Sequence, residues 1–540
     1  MTLPRSADLA ALAAGARALA RNPVGLYRTV RAVRAHGRTL AGLLAGAAAR
    51  SPEAVALVDR AGPVTARDLD RSADDVARLV RAAWSGRGRV GVQVGDHRGF
   101  VAAVVGVLRA GADAVLIGPR TGADALATVL AEQQVTLLVR DGDPVVGDDP
   151  LGALTFEPTE PIDPARASTE ALCAQDVRPG AGRAGVPPGA ASRGRVPRVV
   201  LLTAGTTGVP SAAPDGGRDG AAPGRVTTER PLPQLALIGL CGIRPGRPVL
   251  VLPPLFHGHG FAFLAAGLAV GAPVVLPGAR TGAEICAAAT RYAADVITGV
   301  PAQLQRLAGH LVAEHAGPEV ACPHRPAPRR VVSGSDRLPP AVAATLTGAL
   351  GDVVVNLFGS TQTGVLTAAT SRDLREAPDT VGRALPGVGL VVLDDDGRPC
   401  RPGHVGAVVL VTGPLGRARH VPTGDRGAFD RSGRLVLHGR ADDVVVCGGE
   451  NVRPAAVAAL LEAVPGVRAA VVGPVPDEEY GTRLVAEVVL EPGGPLAAAT
   501  APAALRDAVR SRLGPHAVPR SVRVVPELRR SDVGKSLLPR

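Results

Sequence analysis

Between residues 51 and 140 the chain alternates short apolar runs with helical patterns, at a spacing that parallel β–α–β units satisfy. Segments 89–94, 114–117 and 135–139 read as buried strands, and 100–110 and 122–132 as the helices between them. Parallel neighbours need a crossover of a dozen residues or more, so this pattern commits the chain to an α/β fold with a wound, covered sheet. Composition agrees: 46 % of the 540 residues are apolar but only 2 % are aromatic, so any core is built from Val, Leu, Ala and Ile. That length accommodates two or more domains, each with its own core.

Residues 141–196, rich in Pro, Gly and Ala, read as a long, partly disordered connection. The wound pattern then resumes at 199–202, 249–252, 296–300, 330–332 and 353–357. From about 389 it turns β-rich, with strands at 389–394, 407–412 and 434–438. The turns Asp395-Asp396-Gly397 and Ser432-Gly433 separate them as in hairpins. After Gly439-Arg440 a compact α+β segment follows, with helices at 455–463 and 503–513 and strands at 467–472, 484–490 and 521–525. The uncharged stretch 261–279 is long enough to question as a membrane span. Gly267, Gly271, Pro273 and Pro277 interrupt it, so it reads as a buried helix followed by a strand at 274–276.

The net charge of +11 admits nucleic acid, anionic lipid or a polyphosphate ligand. Nucleic acid is disfavoured, because stacking platforms need aromatic side chains and these are few and scattered. The cysteines (173, 241, 286, 322, 400 and 447) lie far apart without a Cys-x-x-Cys pair, which points to a reducing cytoplasm rather than a zinc site or disulfide framework. No secretory signal is visible. The first fifty residues carry Arg17, Arg21, Arg28, Arg31, Arg34 and Arg38 among Leu and Ala, in the pattern of basic amphipathic helices. A solvated face, a membrane-surface contact and a transit peptide all remain open for them.

Two features point to anion chemistry. In Leu201-Leu202-Thr203-Ala204-Gly205-Thr206-Thr207-Gly208-Val209-Pro210 a buried strand ends in a loop of small residues. There backbone N–H groups can converge on an anion and Thr hydroxyls add donors, although the Walker pattern is absent. The second is Lys535, the only lysine in the chain, within Ser-Asp-Val-Gly-Lys-Ser. Lysine is a compact, flexible point charge and arginine a planar fork, so its single use suggests a reach toward one buried anion.

These motifs, taken in order over nearly the whole chain, resemble the adenylate-forming superfamily of acyl-CoA synthetases, peptide-synthetase adenylation domains and luciferases. The resemblance is carried by the Thr/Gly loop, Pro253-Pro254-Leu255-Phe256-His257-Gly258-His259-Gly260-Phe261, Ser333-Gly334-Ser335 and Leu357-Phe358-Gly359-Ser360-Thr361-Gln362-Thr363-Gly364. It continues through Thr423-Gly424-Asp425, Gly439-Arg440-Ala441-Asp442-Asp443, Gly448-Gly449-Glu450-Asn451-Val452-Arg453-Pro454 and the region of Lys535. The Gly-Gly-Glu-Asn form and the basic N-terminal extension look most like bacterial fatty-acid-CoA ligases.

The resemblance implies a large N-terminal domain of wound parallel sheets plus a β-rich subdomain (51–440, after a basic helical extension at 1–50) and a small, mobile α+β C-terminal domain (441–540). It also implies ATP, Mg²⁺ and coenzyme A as cofactors. A fatty or other carboxylic acid would attack the α-phosphorus of ATP, expel pyrophosphate and pass as acyl-AMP to the CoA thiol. Thr203, Ala204, Gly205, Thr206, Thr207 and Gly208 would hold the β- and γ-phosphates. Ser333, Gly334, Ser335, Phe358, Gly359, Ser360 and Thr361 would form the adenine pocket, with Phe358 stacking on the base. His257 would line the acyl site, and the acid pocket would extend partly along 298–307. Asp425 would accept the ribose hydroxyls and Arg440 would contact ribose or phosphate. Asp442, with Asp443 as an adjacent contender, would be the hinge. Gly448, Gly449 and Glu450 would face CoA, and Thr206 and Gln362 would stand at the metal. Lys535 would reach the acyl carboxylate and α-phosphate, a contact on the order of 4 kcal/mol at ~4 Å and an effective dielectric of about 20.

Three departures qualify this. Ser211 stands where such enzymes carry a lysine, and Gln362 where they carry a glutamate that helps hold Mg²⁺. The stretch 413–422 is short and suggests a trimmed β-subdomain. The sequence thus implies an acid–thiol ligase with full or reduced activity. It leaves open a catalytically impaired adenylate-binding homologue and an acyl-AMP ligase that loads a carrier protein.

Overall fold

The computed structural model describes residues 10, 13–14, 23–37, 39–141, 153–156, 177–179, 196–204, 210–212, 231–316, 327–360, 363–413, 419–440, 445–447, 450–477, 481–530 and 537–539. The chain forms two compact units, one of Met1–Pro378 with Leu385–Gly387, the other of Asp379–Ala384 with Val388–Arg540.

The first unit contains two wound sheets. In one, the strands run in the order Gly364–Thr370, Val354–Ser360, Arg330–Ser333, Val296–Gly299, Val249–Val251, Val274–Val275, Val55–Asp59, Gly62–Thr65. The inner six are parallel and the two outermost are antiparallel to their neighbours. From Val249–Val251 the chain goes to one side for its next strand and to the other side for the one after, so the order reverses there. In open α/β sheets such a reversal leaves a crevice at the carboxyl ends of the strands, where ligands bind. Helices Gly282–Arg291, Pro301–Ala316 and Pro340–Leu350 cover one face, packing Ile285, Leu304, Leu311 and Leu346 onto Leu250, Ile297, Val331 and Val354. Truncating one of these fully buried leucines to alanine would cost about 2–5 kcal/mol.

The second sheet of this unit runs Val177–Pro179, Ala153–Phe156, Val135–Asp141, Arg89–Gln93, Ala114–Leu116, Val199–Ala204, Pro210–Ala212. Its central pairs are parallel, as the alternation between 51 and 140 predicts. The uncharged stretch 261–279 forms the greater part of helix Gly258–Val270 and then strand Val274–Val275. Gly271, in the left-handed region at φ 80°, ends the helix. Among the described residues no helix is long and apolar enough to cross a membrane. Helix Leu40–Arg50 is packed into this unit against helices Ala66–Ala83, Arg98–Arg109 and Gly258–Val270.

The second unit carries an antiparallel sheet ordered Gly389–Leu393, Gly406–Thr412, Arg419–Phe429, Leu435–Arg440, Thr380–Ala384. It also has a three-stranded sheet of Val467–Asp477, Gly481–Leu490 and Ser521–Val524. Helices Pro454–Glu462 and Ala501–Leu513 bury Val457, Leu461, Leu505 and Val509 in one core with Leu484, Ala486 and Val488 of the latter sheet. The sequence gives no sign of strand Arg419–Phe429, which carries Pro422, Gly424 and three Arg or Asp side chains and so lacks a period-two pattern. The turn at Asp395-Asp396-Gly397 is tight: Asp394 Oδ1 accepts from the N–H groups of Asp396 and Arg398, and the Asp394 N–H donates to the Arg398 carbonyl at 2.9 Å. The antiparallel ladder itself resumes at Gly406–Thr412, so the turn heads a longer connection than a two-residue hairpin.

Candidate functional site

The crevice in the first unit is lined by the residues after strand Val249–Val251. Residues 252–257 lead into helix Gly258–Val270, with His257 as its extended N-cap at φ −105° and ψ 152°. The His257 ring lies 4.4 Å from that of Phe256. Two contacts fix this loop, and a third holds one of the side chains that make them. The Leu255 N–H donates to Asp96 Oδ1 at 2.7 Å, and Gln303 donates from Nε2 to the Leu252 carbonyl at 2.9 Å while its Oε1 accepts from the Val300 N–H at 3.0 Å. At Gly260 a Cβ would stand 2.3 Å from the Pro254 carbonyl oxygen, so only glycine lets the helix return so close to its own entry loop.

His259 lies in the first turn of the helix that starts beside the crevice. Its Nε2 lies 2.7 Å from Thr298 Oγ1 and its Nδ1 3.1 Å from Ser335 Oγ. Burial pulls its pKa down to about 4, so the imidazole is neutral at pH 7. Thr298 is fully buried at the end of Val296–Gly299. Ser335 is exposed and left-handed at φ 74°, which few residues other than glycine adopt. Gly334 makes room for the ring: a Cβ there would lie 3.2 Å from His259 Cε1.

On the other face of the sheet, Ser333 and Asn356 are register partners on adjacent parallel strands. Both are buried, and Ser333 Oγ and Asn356 Oδ1 have no hydrogen-bond partner among the described residues. Buried polar atoms are rarely left so, and a bound ligand is one way to satisfy them. Phe358, two residues after Asn356, lies on the same face of its strand. Gly359 sits at a bulge, where a Cβ would be 2.0 Å from the Gly364 carbonyl oxygen. Ser360 and Thr363 then close the turn through their hydroxyls, 3.0 Å apart.

Ser333, Gly334, Ser335, Phe358, Gly359 and Ser360 thus lie at or just beyond the carboxyl ends of two adjacent strands, and His257 precedes the helix whose His259 meets Ser335. Thr203 and Ala204 are backbone positions at the end of Val199–Ala204, where Thr203 pairs with Ser211 and Ala204 with Pro210. Gly205, Thr206, Thr207, Gly208, Thr361, Gln362, Asp442, Asp443, Gly448, Gly449 and Lys535 lie outside the described residues.

In the second unit Asp425 and Arg440 are cross-strand partners. Gly424, at φ 80°, leaves the Arg440 guanidinium a place that a Cβ would take, 2.7 Å from Nη2. The Asp425 N–H donates to Thr423 Oγ1 at 3.1 Å, and the Thr423 hydroxyl donates to the Val408 carbonyl at 3.0 Å. Glu450 is the register partner of Cys447 at the start of strand Glu450–Val452. Beyond Lys535, the Leu537 N–H donates to the Arg529 carbonyl at 2.9 Å and Arg529 Nη2 donates to the Leu538 carbonyl at 2.8 Å.

Thr298 and Gln303 fall in the stretch 298–307 read as part of the acid pocket, but sequence reasoning missed Asn356, His259 and Asp96 as parts of the site. His259 was visible inside the His-Gly-His-Gly run. The others carry no local signal, because crossovers of the wound sheet bring them together. Among the described residues there is no cluster of three or more His, Cys, Asp or Glu side chains that could hold a metal ion.

A wound sheet with a reversal of strand order, and with a buried hydroxyl and amide oxygen unpartnered among the described residues at its carboxyl edge, defines an α/β protein with a candidate ligand crevice. Residues 44–416 match the family model of AMP-binding enzymes, and residues 456–535 that of the AMP-binding enzyme C-terminal domain. The chain belongs to the AMP-binding enzyme family. It is 29 % identical over 360 residues to a sulfoacetate–CoA ligase of Cupriavidus necator, covering 63 % of this chain and 65 % of that protein. It is also 29 % identical to a fatty acid–[acyl-carrier-protein] ligase of Streptomyces coeruleorubidus, covering 55 % and 58 %. The chain therefore spans less than two thirds of these curated relatives. Among solved structures, ATP-bound MatB from Rhodopseudomonas palustris aligns over 92 % of this chain and 97 % of its own, with a TM-score of 0.69 at 22 % identity. The amide bond synthetase McbA of Marinactinospora thermotolerans aligns over 92 % and 98 %, with a TM-score of 0.66 at 25 % identity.

Proposed function

We propose that this chain is an ATP-dependent acid–thiol ligase that makes an acyl-AMP with release of pyrophosphate and then an acyl-CoA. The observation that carries the reading is the pair of orphaned buried atoms, Ser333 Oγ and Asn356 Oδ1, beside Phe358 at the carboxyl edge of the sheet. Asn356 Oδ1 is placed to accept from an exocyclic amine of the base, with Phe358 as its stacking surface. Asp425 would take the ribose hydroxyls, with Arg440 beside it on the neighbouring strand. Gly205–Gly208, with Thr203 and Ala204, would cradle phosphates, and Lys535 would neutralise charge developing at the α-phosphate and carboxylate. Reaction at phosphorus depends mainly on such positioning and charge neutralisation. We place the hinge at Asp442 or Asp443, with domains meeting near 440, and Gly448, Gly449 and Glu450 toward CoA in the second half-reaction. A Mg²⁺ ion, held through Thr206 and Gln362, would supply charge neutralisation on the phosphates.

The acid is a carboxylate whose class the test must decide. Relatives of the chain are named as CoA ligases of sulfoacetate, indoleacetate and hydroxybenzoates, and one as a ligase of fatty acids to a carrier protein. Pyrophosphate exchange with sulfoacetate, indoleacetate, benzoate and fatty acids of graded length, followed by CoA or a carrier protein as acceptor, reads both half-reactions. Absence of exchange with every acid, alongside calorimetric binding of ATP, would favour a second reading, an impaired adenylate-binding homologue. Ser211 and the neutral amide of Gln362 motivate that alternative, since Mg²⁺ prefers charged oxygen ligands.

We place the protein in the cytoplasm, with a peripheral contact to anionic lipid through helix Pro23–His36. There Tyr27 and Val30 are 68 % and 43 % exposed beside the exposed Arg31 and Arg34. Flotation with phosphatidylserine vesicles tests the contact, and recovery in the unbound fraction at low salt would exclude it.

A further inference from the structure

We propose that Ser335 is a ligand-binding residue whose hydroxyl hydrogen is held outward by a relay from Thr298 through His259, as a donor to an anionic oxygen of the bound ligand. That oxygen belongs to the acid's carboxylate or to a nucleotide phosphate. The proposal rests on the acid-ligase reading, in which Ser335 already stands at the nucleotide, and adds to it the direction of the Ser335 hydrogen, the anionic oxygen it meets and a positioning residue behind it.

Burial sets the direction of the relay. Thr298 is 0 % exposed, and His259 Nε2, at 2.7 Å, is the one polar atom paired with its hydroxyl among the described residues. If that hydroxyl only accepted, its own hydrogen would be buried without an acceptor, which is costly. Thr298 therefore donates, and Nε2 carries no hydrogen. A neutral imidazole then has its proton on Nδ1, which donates to Ser335 Oγ at 3.1 Å. Ser335, having accepted, points its own hydrogen elsewhere, and the residue is exposed. Each link polarises the next, so the terminal O–H is a stronger donor than an isolated serine.

The backbone marks the same residue: Ser335 is held at φ 74°, a conformation that persists in a serine only when its surroundings over-determine it.

Ser335→Gly keeps the backbone conformation and removes the hydroxyl. We expect its KM for either ATP or the acid to rise about ten- to a hundred-fold, the effect of losing a charge-assisted hydrogen bond, with unchanged melting. The KM that rises identifies the source of the oxygen. Thr298→Val lies behind the ring, and should raise the same KM by a smaller factor. In a long-range proton–nitrogen correlation spectrum of histidine-labelled protein, His259 should be protonated at Nδ1, and Thr298→Val should move it toward Nε2. Unchanged KM values in Ser335→Gly of an active enzyme would overturn the proposal alone, as would protonation at Nε2 in the wild type. A wild type without exchange on any acid would sink the acid-ligase reading, and the ligand assigned to Ser335 with it.

Discussion

The ammonium of Lys535 is the chain's single compact, flexible cation, and its effect should be confined to the adenylation step. Lys535→Ala is expected to lower acid-dependent pyrophosphate exchange by about a hundred-fold or more, as a lost contact of about 4 kcal/mol allows, while ATP binding by calorimetry stays within a few-fold. Full exchange in that variant removes Lys535 from the reaction. Gln362→Glu should restore a charged oxygen at the metal and shift exchange to lower Mg²⁺ concentration; an unchanged Mg²⁺ titration would place Gln362 elsewhere. Burial of His259 also makes stability depend on pH. Its folded pKa of about 4 lies below the ordinary 6.5, so between those values the unfolded chain binds a proton that the folded chain excludes. Stability is then intact above about pH 6.5 and falls as pH drops toward 4, by at most about 1.4 kcal/mol per unit from this group. His36 and His438, also lowered by burial, act in the same direction. Urea midpoints at a series of pH values check this, and a flat series across the interval would contradict it.

At the scale of elements, the sequence was most legible where period and punctuation coincide. Segments 89–94, 114–117, 249–252 and 296–300 are short apolar runs bounded by polar or Gly/Pro residues, and each is a strand in the structure within a residue or two. Helix Gly282–Arg291 carries a capping box in which the Glu284 N–H donates to Thr281 Oγ1 and the Thr281 N–H to the Glu284 carboxylate. Strand Arg419–Phe429 stayed hidden because its pairing, not its composition, makes it a strand. The site shows the same division. Its glycines and hydroxyl residues stand in recognisable runs, whereas Asp96 and Asn356 acquire meaning only once distant segments meet. Gly260 tests how tightly those segments meet. Gly260→Ala forces a Cβ against the Pro254 backbone and should cost about 1–3 kcal/mol or more in urea denaturation. A neutral result would mean that the entry loop is free to yield.

Over the whole molecule, two units hold separate cores, one centred on Leu250, Ile297 and Val331, the other on Val457, Leu484 and Leu505. Chains built this way often fail two-state unfolding. The protein supplies its own probe, since its single tryptophan, Trp84, belongs to the first unit and donates from Nε1 to the Arg87 carbonyl at 2.8 Å. Denaturation followed by Trp84 fluorescence is expected to diverge from the far-ultraviolet circular dichroism curve, which averages both units. Superimposable curves would show that they melt as one. Arg50 reaches the crevice from a distance. Its guanidinium clasps the closing carbonyls of Leu268 and Ala269, 3.2 Å from each, at the tail of the rod whose head presents His257 and His259. Shortening the protein up to its first strand would therefore slacken that rod from behind, and damage would surface at the crevice although no residue there had been touched.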